Sequence, residues 1–325
     1  MQAKPFHPPG QTAAALPKPK REWLAYLKTN YDMYLLLIPG LLFVLVFNYL
    51  PMYGITLAFK DFNMFAGNNP FTSLLASPWV GMEHFENVFG RADFKQALGN
   101  TLLISVYKLV FLFPLPILLA ILLNELRVAW FKKVLQTVLY LPHFLSWAVV
   151  SGIFVTLLGS TGIVNQFLEA ATGNTISFLM DKSVFRTVLV ATDGWKDIGW
   201  SSIIYLAAIT GIDQEQYEAA TVDGASKLQK IVYITLPGIA PTILLLLILK
   251  VGHILDAGFE QIFIMYNPTV YEVADIIGTY VYRMGLGQMN FSLGTAVGLF
   301  NSVVAFVLIV TANSLAKRFM KKSIW

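Results

Sequence analysis

Starting at Lys250, the residues His253, Asp256 and Glu260 recur every three or four positions, a spacing that sets them on roughly one side of a helix. Such a stripe holds hydrogen-bond donors and acceptors together, so it could line a path for a ligand bearing hydroxyl or carboxylate groups. The same spacing also lets Lys250 pair with Asp256, Glu260 or a neighbouring helix merely to satisfy its own charge. Lys108 raises the same choice, because it too sits within a long apolar stretch. A charge near mid-membrane costs about 2.5 to 3.5 kcal/mol on insertion scales, and any that remains there should face protein or water. Asp193 with Asp197, and His253 with Asp256, could be drawn as acid–base pairs, but no nucleophile or catalytic motif accompanies them. No catalytic residue and no metal site is expected, since the chain has no cysteine and only four histidines.

The elements that must position these residues are membrane spans. Of 325 residues, 56% are hydrophobic and 13% charged, far from a soluble mixture. The stretches 33–59, 134–168 and 284–316 carry no acidic or basic residue other than His143. Each exceeds the roughly 20 residues that cross the hydrocarbon layer. The pattern predicts an all-α integral membrane protein with about six transmembrane helices, at 33–59, 98–124, 134–158, 187–211, 236–258 and 290–315. Residues 1–32 form an N-terminal tail, 33–316 the membrane domain and 317–325 a C-terminal tail, with no cleavable signal peptide in view. Trp23, Tyr26, Leu27 and Tyr31 could lie on the membrane surface before the first crossing.

Lysine and arginine sort by loop: five in the N-terminal tail, three in 127–133, two in 227–230 and four in 317–322. The segments 60–96, 160–186 and 259–289 carry fewer positives despite their length, so both termini should be cytoplasmic. The net charge of +4 is thus a topology signal and not a nucleic-acid-binding face. Lys108, Lys182, Arg186, Lys196, Lys250 and Arg283 lie away from the cytoplasmic loops, and a few of them converging on one cavity would favour an anionic ligand.

Residues 211–237, between the fourth and fifth spans, are too polar for lipid and should fold at the cytoplasmic face. Asp213 can cap a short helix over 214–222, and Gly224 permits the turn that ends it. A second helical stretch, 226–235, sets Leu228, Ile231, Val232 and Leu236 along one face, and Pro237 marks the return into the membrane. With Ala219 and Ala220 small enough for close approach and Glu218 available for an ion pair, the loop suits docking into a groove on another protein.

Glu218-Ala-Ala, three residues, Gly224, nine residues and Ile234-x-Leu236-Pro237 together resemble the EAA loop of binding-protein-dependent ABC importer permeases, with every motif position filled. The stretches Asn48-Tyr-Leu-Pro-Met-Tyr-Gly54, Ala58-Phe-Lys-Asp-Phe-Asn63, Gly258-Phe-Glu-Gln-Ile-Phe263 and Asn267-Pro-Thr-Val-Tyr-Glu-Val-Ala-Asp275 resemble the subgroup associated with aldouronates, alginate and other complex or acidic oligosaccharides. The resemblance implies a type I ABC importer permease-like bundle in a bacterial cytoplasmic (inner) membrane. It implies that Glu218, Ala219, Ala220, Asp223, Gly224, Ile234, Leu236 and Pro237 form a coupling helix and its flank, seated in a cleft of an ATPase subunit.

The implied cargo is a carbohydrate, with an acidic oligosaccharide such as alginate or aldouronate among the candidates. The implied partners are two ATPase subunits, a second homologous permease and an extracytoplasmic solute-binding protein. No G-x-x-x-x-G-K-[ST] phosphate loop occurs in this chain, so ATP and Mg would be bound by the partner ATPases and no cofactor by this one. In related permeases the helix holding Lys250, His253 and Asp256 helps form the sugar pocket. Trp195, Lys196 and Trp200, at the outer end of the fourth span, have rings that could stack on sugar faces or simply anchor at the interface. An ion-coupled secondary transporter is the competing reading, disfavoured by the docking loop and by the lack of repeated halves.

Overall fold

The computed structural model describes residues 22–320, and among these no β-strand occurs, only an isolated bridge between Lys60 and Trp79. The expected tails therefore lie partly outside the described residues, at 1–21 and 321–325. The chain divides into two compact units, Met1–Gly54 and Ile55–Trp325. In the first, a short helix Glu22–Thr29 precedes a long one that begins at Tyr31. The stretch Tyr31–Val44 buries no side chain, and Leu36 is 83% exposed. A helix apolar on every side is stable only with lipid or protein around it.

Six long helices carry the architecture: α1 (Tyr31–Phe59), α2 (Ala92–Glu125), α3 (Trp147–Leu158), α4 (Lys182–Thr210), α5 (Lys227–Gly252) and α6 (Phe291–Met320). Among the described residues, five segments are long and apolar enough to cross a membrane: α1, α2, Trp147–Thr172, α5 and Phe291–Arg318. The expected fourth span is a continuous helix of 29 residues, about 44 Å at 1.5 Å per residue, so it too has the reach. Its first half carries Lys182, Arg186, Asp193, Lys196 and Asp197, which lowers its mean apolarity below that of the others.

The second and fourth spans start earlier than expected, at Ala92 and Lys182, the sixth runs on to Met320, and the third and fifth differ in course. The third span was expected as one helix over 134–158, but the chain forms Ala129–Tyr140, a 3-10 turn Leu141–Phe144, and then α3, which Ser146 caps by accepting from the Val149 N–H. Pro142 supplies no N–H and disfavours helix in the residue before it, so the break falls there. The fifth span was expected to reach 258 and ends at Gly252. At its other end it runs straight through Pro237. A π turn over Ile231–Thr235 pairs Leu236 N with Ile231 O, five residues back, and makes room for the proline ring where the normal ladder would fail. The same device precedes Pro51, where Leu50 N pairs with Leu45 O.

Within the second unit α4 is the central element. Its buried residues, among them Phe185, Val188, Leu189, Thr192, Tyr205 and Ile209, recur every three or four positions. Tyr205 and Ile209 pack with Ile117, Ala120 and Ile121 of α2 and Ile239 of α5. Further along, Phe185 and Leu189 pack with Ile104 of α2 and with Ile262, Met265 and Ile276. The second cluster seats the short helix Phe259–Met265 and the segment after it against α2 and α4. In lipid such packing is held by close van der Waals fit and interhelical hydrogen bonds, because lipid tails already satisfy apolar surface.

Candidate functional site

Where α2, α4 and the end of α5 meet, a cavity of about 450 Å³ opens, a size that suits a small ligand or part of a larger one. Its apolar walls come from Leu109, Leu112, Ile198, Leu246 and Leu249 among others, and its polar groups from Ser105, Lys108, Asp193, Asp197, Ser201, Lys250, His253 and Asp256. Lys250, His253 and Asp256 thus do gather at one place, but not as a helical stripe. After Gly252 the chain makes a succession of turns, His253 N to Lys250 O at 3.1 Å and Asp256 N to His253 O at 3.0 Å. Ala257 (φ 53°) and Gly258 (φ 89°) then take left-handed conformations that start the helix Phe259–Met265. Glu260 is not part of the lining.

The cavity's cations differ in their engagement. Lys108 Nζ donates to Ala257 O (3.0 Å) and Gln261 Oε1 (2.6 Å) and lies 3.4 Å from Asp193 Oδ2. Gln261 is fully buried, and its Nε2 donates to Leu189 O and to Thr192 Oγ1, both at 2.7 Å. Lys250, in contrast, has no hydrogen-bond or salt-bridge partner among the described residues, and neither does the Asp256 carboxylate. Ser105 is 7% exposed and its Oγ has no hydrogen-bond partner, although it lines the cavity. A buried hydroxyl without a partner costs about 1 to 3 kcal/mol, so this one is available to a ligand or to water.

Trp195, Lys196 and Trp200 lie outside this lining. Trp195 packs edge-on against Phe154, and Trp200 stacks on the His143 ring with centroids 4.5 Å apart. Lys196 donates to His143 O at 2.6 Å and sits over the Trp147 ring. Both interactions tie the 3-10 break in the third span to α4. Of the six basic residues noted above, only Lys108 and Lys250 reach the cavity. Lys182 pairs with Glu272, Arg186 donates to Val273 O and Asn100 Oδ1, and Arg283 pairs with Asp275. Asp193, Asp197 and Ser201, four residues apart on α4, were not among the path candidates. Their four-residue spacing is the signal in the sequence, where only Asp193 and Asp197 stand out, as a pair of acids.

At the far end of α5 lies the polar loop. The helix Gln214–Val222 starts where Asp213 accepts from the Glu215 N–H at 3.0 Å. It ends at Gly224, whose φ of 78° is a left-handed turn that a side chain would strain, with Ala225 N bonded to Ala220 O at 2.8 Å. Ser226 and Gln229 form a reciprocal capping box at the start of α5. Glu218, Ala219, Val222 and Asp223 are exposed and Ala220 is half-buried, so the Glu-Ala-Ala face is open. Behind it Ile234 and Leu236 are half-buried and Pro237 is exposed; Leu236 packs against the cluster around Ile239.

Residues 113–323 match the family described as "Binding-protein-dependent transport system inner membrane component". The chain belongs to that family: it is a multi-pass inner-membrane permease subunit with the type I ABC importer fold. Among curated proteins it is 47% identical to Protein LplB of Bacillus subtilis (strain 168), over 93% of this chain and 94% of that one. It is 44% identical to the polygalacturonan/rhamnogalacturonan transport system permease protein YteP of the same organism, over 95% and 94%. Among solved structures it is similar to a chain of a bacterial alginate ABC transporter crystallised in complex with an alginate pentasaccharide-bound periplasmic protein. That match has 41% identity, covers 94% of this chain and 100% of the other, and has a TM-score of 0.85.

Proposed function

We propose that this chain forms half of the translocation pathway of an ATP-driven importer for an oligosaccharide, of the acidic kind. The observation that carries the reading is the likeness, over 94–95% of the chain, to transport proteins named for acidic polysaccharides, 41% and 44% identical, together with a cavity whose Lys250, Asp256 and Ser105 have no hydrogen-bond or salt-bridge partner among the described residues. The free ammonium of Lys250 can read a carboxylate, and Asp256 and Ser105 can take hydroxyls. A second permease subunit completes the pathway, two ATPase subunits bind ATP and Mg, and a solute-binding protein delivers the sugar from outside. Both termini are cytoplasmic.

Coupling runs through the loop. The Glu-Ala-Ala face around Glu218 docks in the ATPase, and α5, 26 residues and about 39 Å long, carries its displacement to Lys250 near its other end, at the cavity. ATP-driven closure of the ATPases in this way switches the cavity between the two sides of the membrane. The test is substrate-stimulated ATPase activity of the reconstituted complex, with Glu218→Ala and Gly224→Asp compared with the natural chain after subunit assembly has been checked. Loss of stimulation, or of ATPase docking, is expected for both variants. Full activity of both, or uptake by this chain alone driven by an ion gradient, would sink the proposal in favour of a secondary transporter.

A further inference from the structure

We infer that Lys108 is a positioning residue, a latch that holds the break between α5 and the helix Phe259–Met265, and that it does not itself read the ligand. The inference rests on the importer reading, since it concerns how that cavity is shaped. An ammonium has three N–H bonds, and Lys108 donates two of them to this chain, to Ala257 O and to Gln261 Oε1, while the Asp193 carboxylate balances its charge from 3.4 Å. Its short bonds and its counter-ion all belong to this chain. The side chain is 13% exposed, whereas Lys250 is exposed and has no hydrogen-bond or salt-bridge partner among the described residues.

What the latch holds is a conformation the backbone would not choose. Ala257 has φ 53°, sparsely populated for a residue with a Cβ, and it is followed directly by another left-handed residue. Such strain persists only where the surroundings over-determine it. Here the Ala257 carbonyl is fixed by Lys108, and Lys108 is fixed by Gln261, whose amide is fixed in turn by Leu189 O and Thr192 Oγ1 of α4. The position after Ala257 has φ 89°, which favours glycine, and a Cβ there would come within 2.6 Å of Lys108 Nζ and push the ammonium off its bonds. Through this chain of bonds α2 and α4 set where α5 stops, and so where His253 and Asp256 enter the cavity.

The test compares Lys108→Met, Gln261→Leu, the double variant, Lys108→Arg and Lys250→Gln in the reconstituted complex. The readouts are ATP-driven uptake of a uronate trisaccharide and hydrogen exchange of the backbone amides at 254–260. A latch predicts that Lys108→Met and Gln261→Leu lose uptake alike, by about ten-fold or more. The double variant should be no worse than either, because the two residues act as one unit. Both should speed exchange at 254–260. Lys108→Arg, which keeps donors for both acceptors, should restore most of the uptake, while Lys250→Gln should lower uptake with exchange there unchanged.

Normal uptake and normal exchange in Gln261→Leu, with loss confined to Lys108→Met, would overturn the latch and make Lys108 a ligand-reading charge. If Lys108→Met fails to assemble, Gln261→Leu decides alone by the same two readouts. Failure of the natural complex to take up the trisaccharide would instead count against the importer reading, and the exchange comparison would still decide the latch.

Discussion

The Tyr217 hydroxyl lies 2.9 Å from Thr235 Oγ1, and this bond joins the exposed loop helix to the one buried residue of the π turn of α5. Thr235 is 4% exposed, so the loop helix reaches into the protein at this point and not only along its surface. Lys230 Nζ adds a second tie, donating to Thr221 Oγ1 at 2.7 Å. A helix of nine residues is too short to be stable alone, and these ties make it move with α5.

Tyr217→Phe keeps the ring and deletes the hydroxyl. A net hydrogen bond is worth about 1 kcal/mol, which corresponds to a factor of about five in an equilibrium. The expected result is a rise of about that factor in ATP hydrolysed per sugar imported, with docking of the ATPases retained. Simultaneous measurement of hydrolysis and uptake in proteoliposomes checks it. An unchanged ratio would mean that the loop transmits its movement through the backbone alone.

The loop was legible in the sequence because its determinants are local. Asp213 before the short helix, Gly224 after it and the Glu-Ala-Ala spacing each act within a few residues, and the observed helix Gln214–Val222 has the expected bounds. The break in the third span was also written locally, in Pro142 and Ser146, but a charge-free run long enough to cross the membrane outweighed it. The cavity was only half legible. Lys250, His253 and Asp256 could be found by spacing, yet the left-handed turn at Ala257 that actually aims them depends on Lys108, 149 residues away, and on Gln261. No period or cap signal encodes such a contact. Trp200 shows the converse, since ring type and position cannot reveal that the His143 ring already stacks on one of its faces.

On the segment after Phe259–Met265, Lys182 at the start of α4 pairs with Glu272. The hydrogen bond from the Lys182 ammonium holds the Glu272 carboxyl below the usual carboxylate range. A depressed carboxylate contributes stability that is present above its unfolded pKa and lost as pH falls through the folded value. The protection of amides at 271–275 against hydrogen exchange should therefore drop on acidification below about pH 4.5, beyond the intrinsic rate change. Glu272→Gln should abolish that drop. Because the pair is exposed, the effect should also shrink as salt is added. A pH response that survives in Glu272→Gln would assign it to another group.

A few residues further on, Asp275 carries more. Its carboxylate accepts both terminal nitrogens of Arg283, at 3.0 and 2.6 Å, and also the Thr279 hydroxyl at 2.8 Å, while its backbone carbonyl accepts from Asn100 of α2. The Asp275 side chain is 10% exposed, against 32% for Arg283, so the pair straddles the protein boundary. Asp275→Asn keeps size and one acceptor oxygen but removes the charge and turns one Arg283 N–H toward an amide that cannot accept it. Loss of a two-pronged, charge-assisted contact at such a site should cost about 1 to 3 kcal/mol, and the purified complex should unfold at lower temperature. Arg283→Lys tests whether the two-pronged geometry matters: an ammonium keeps the charge but not the fork, so it should recover only part of the loss. Full stability in Arg283→Lys would mean that the charge alone holds Asp275 in place, and an unchanged melting temperature in Asp275→Asn would mean that the Asn100 bonds to the backbone suffice.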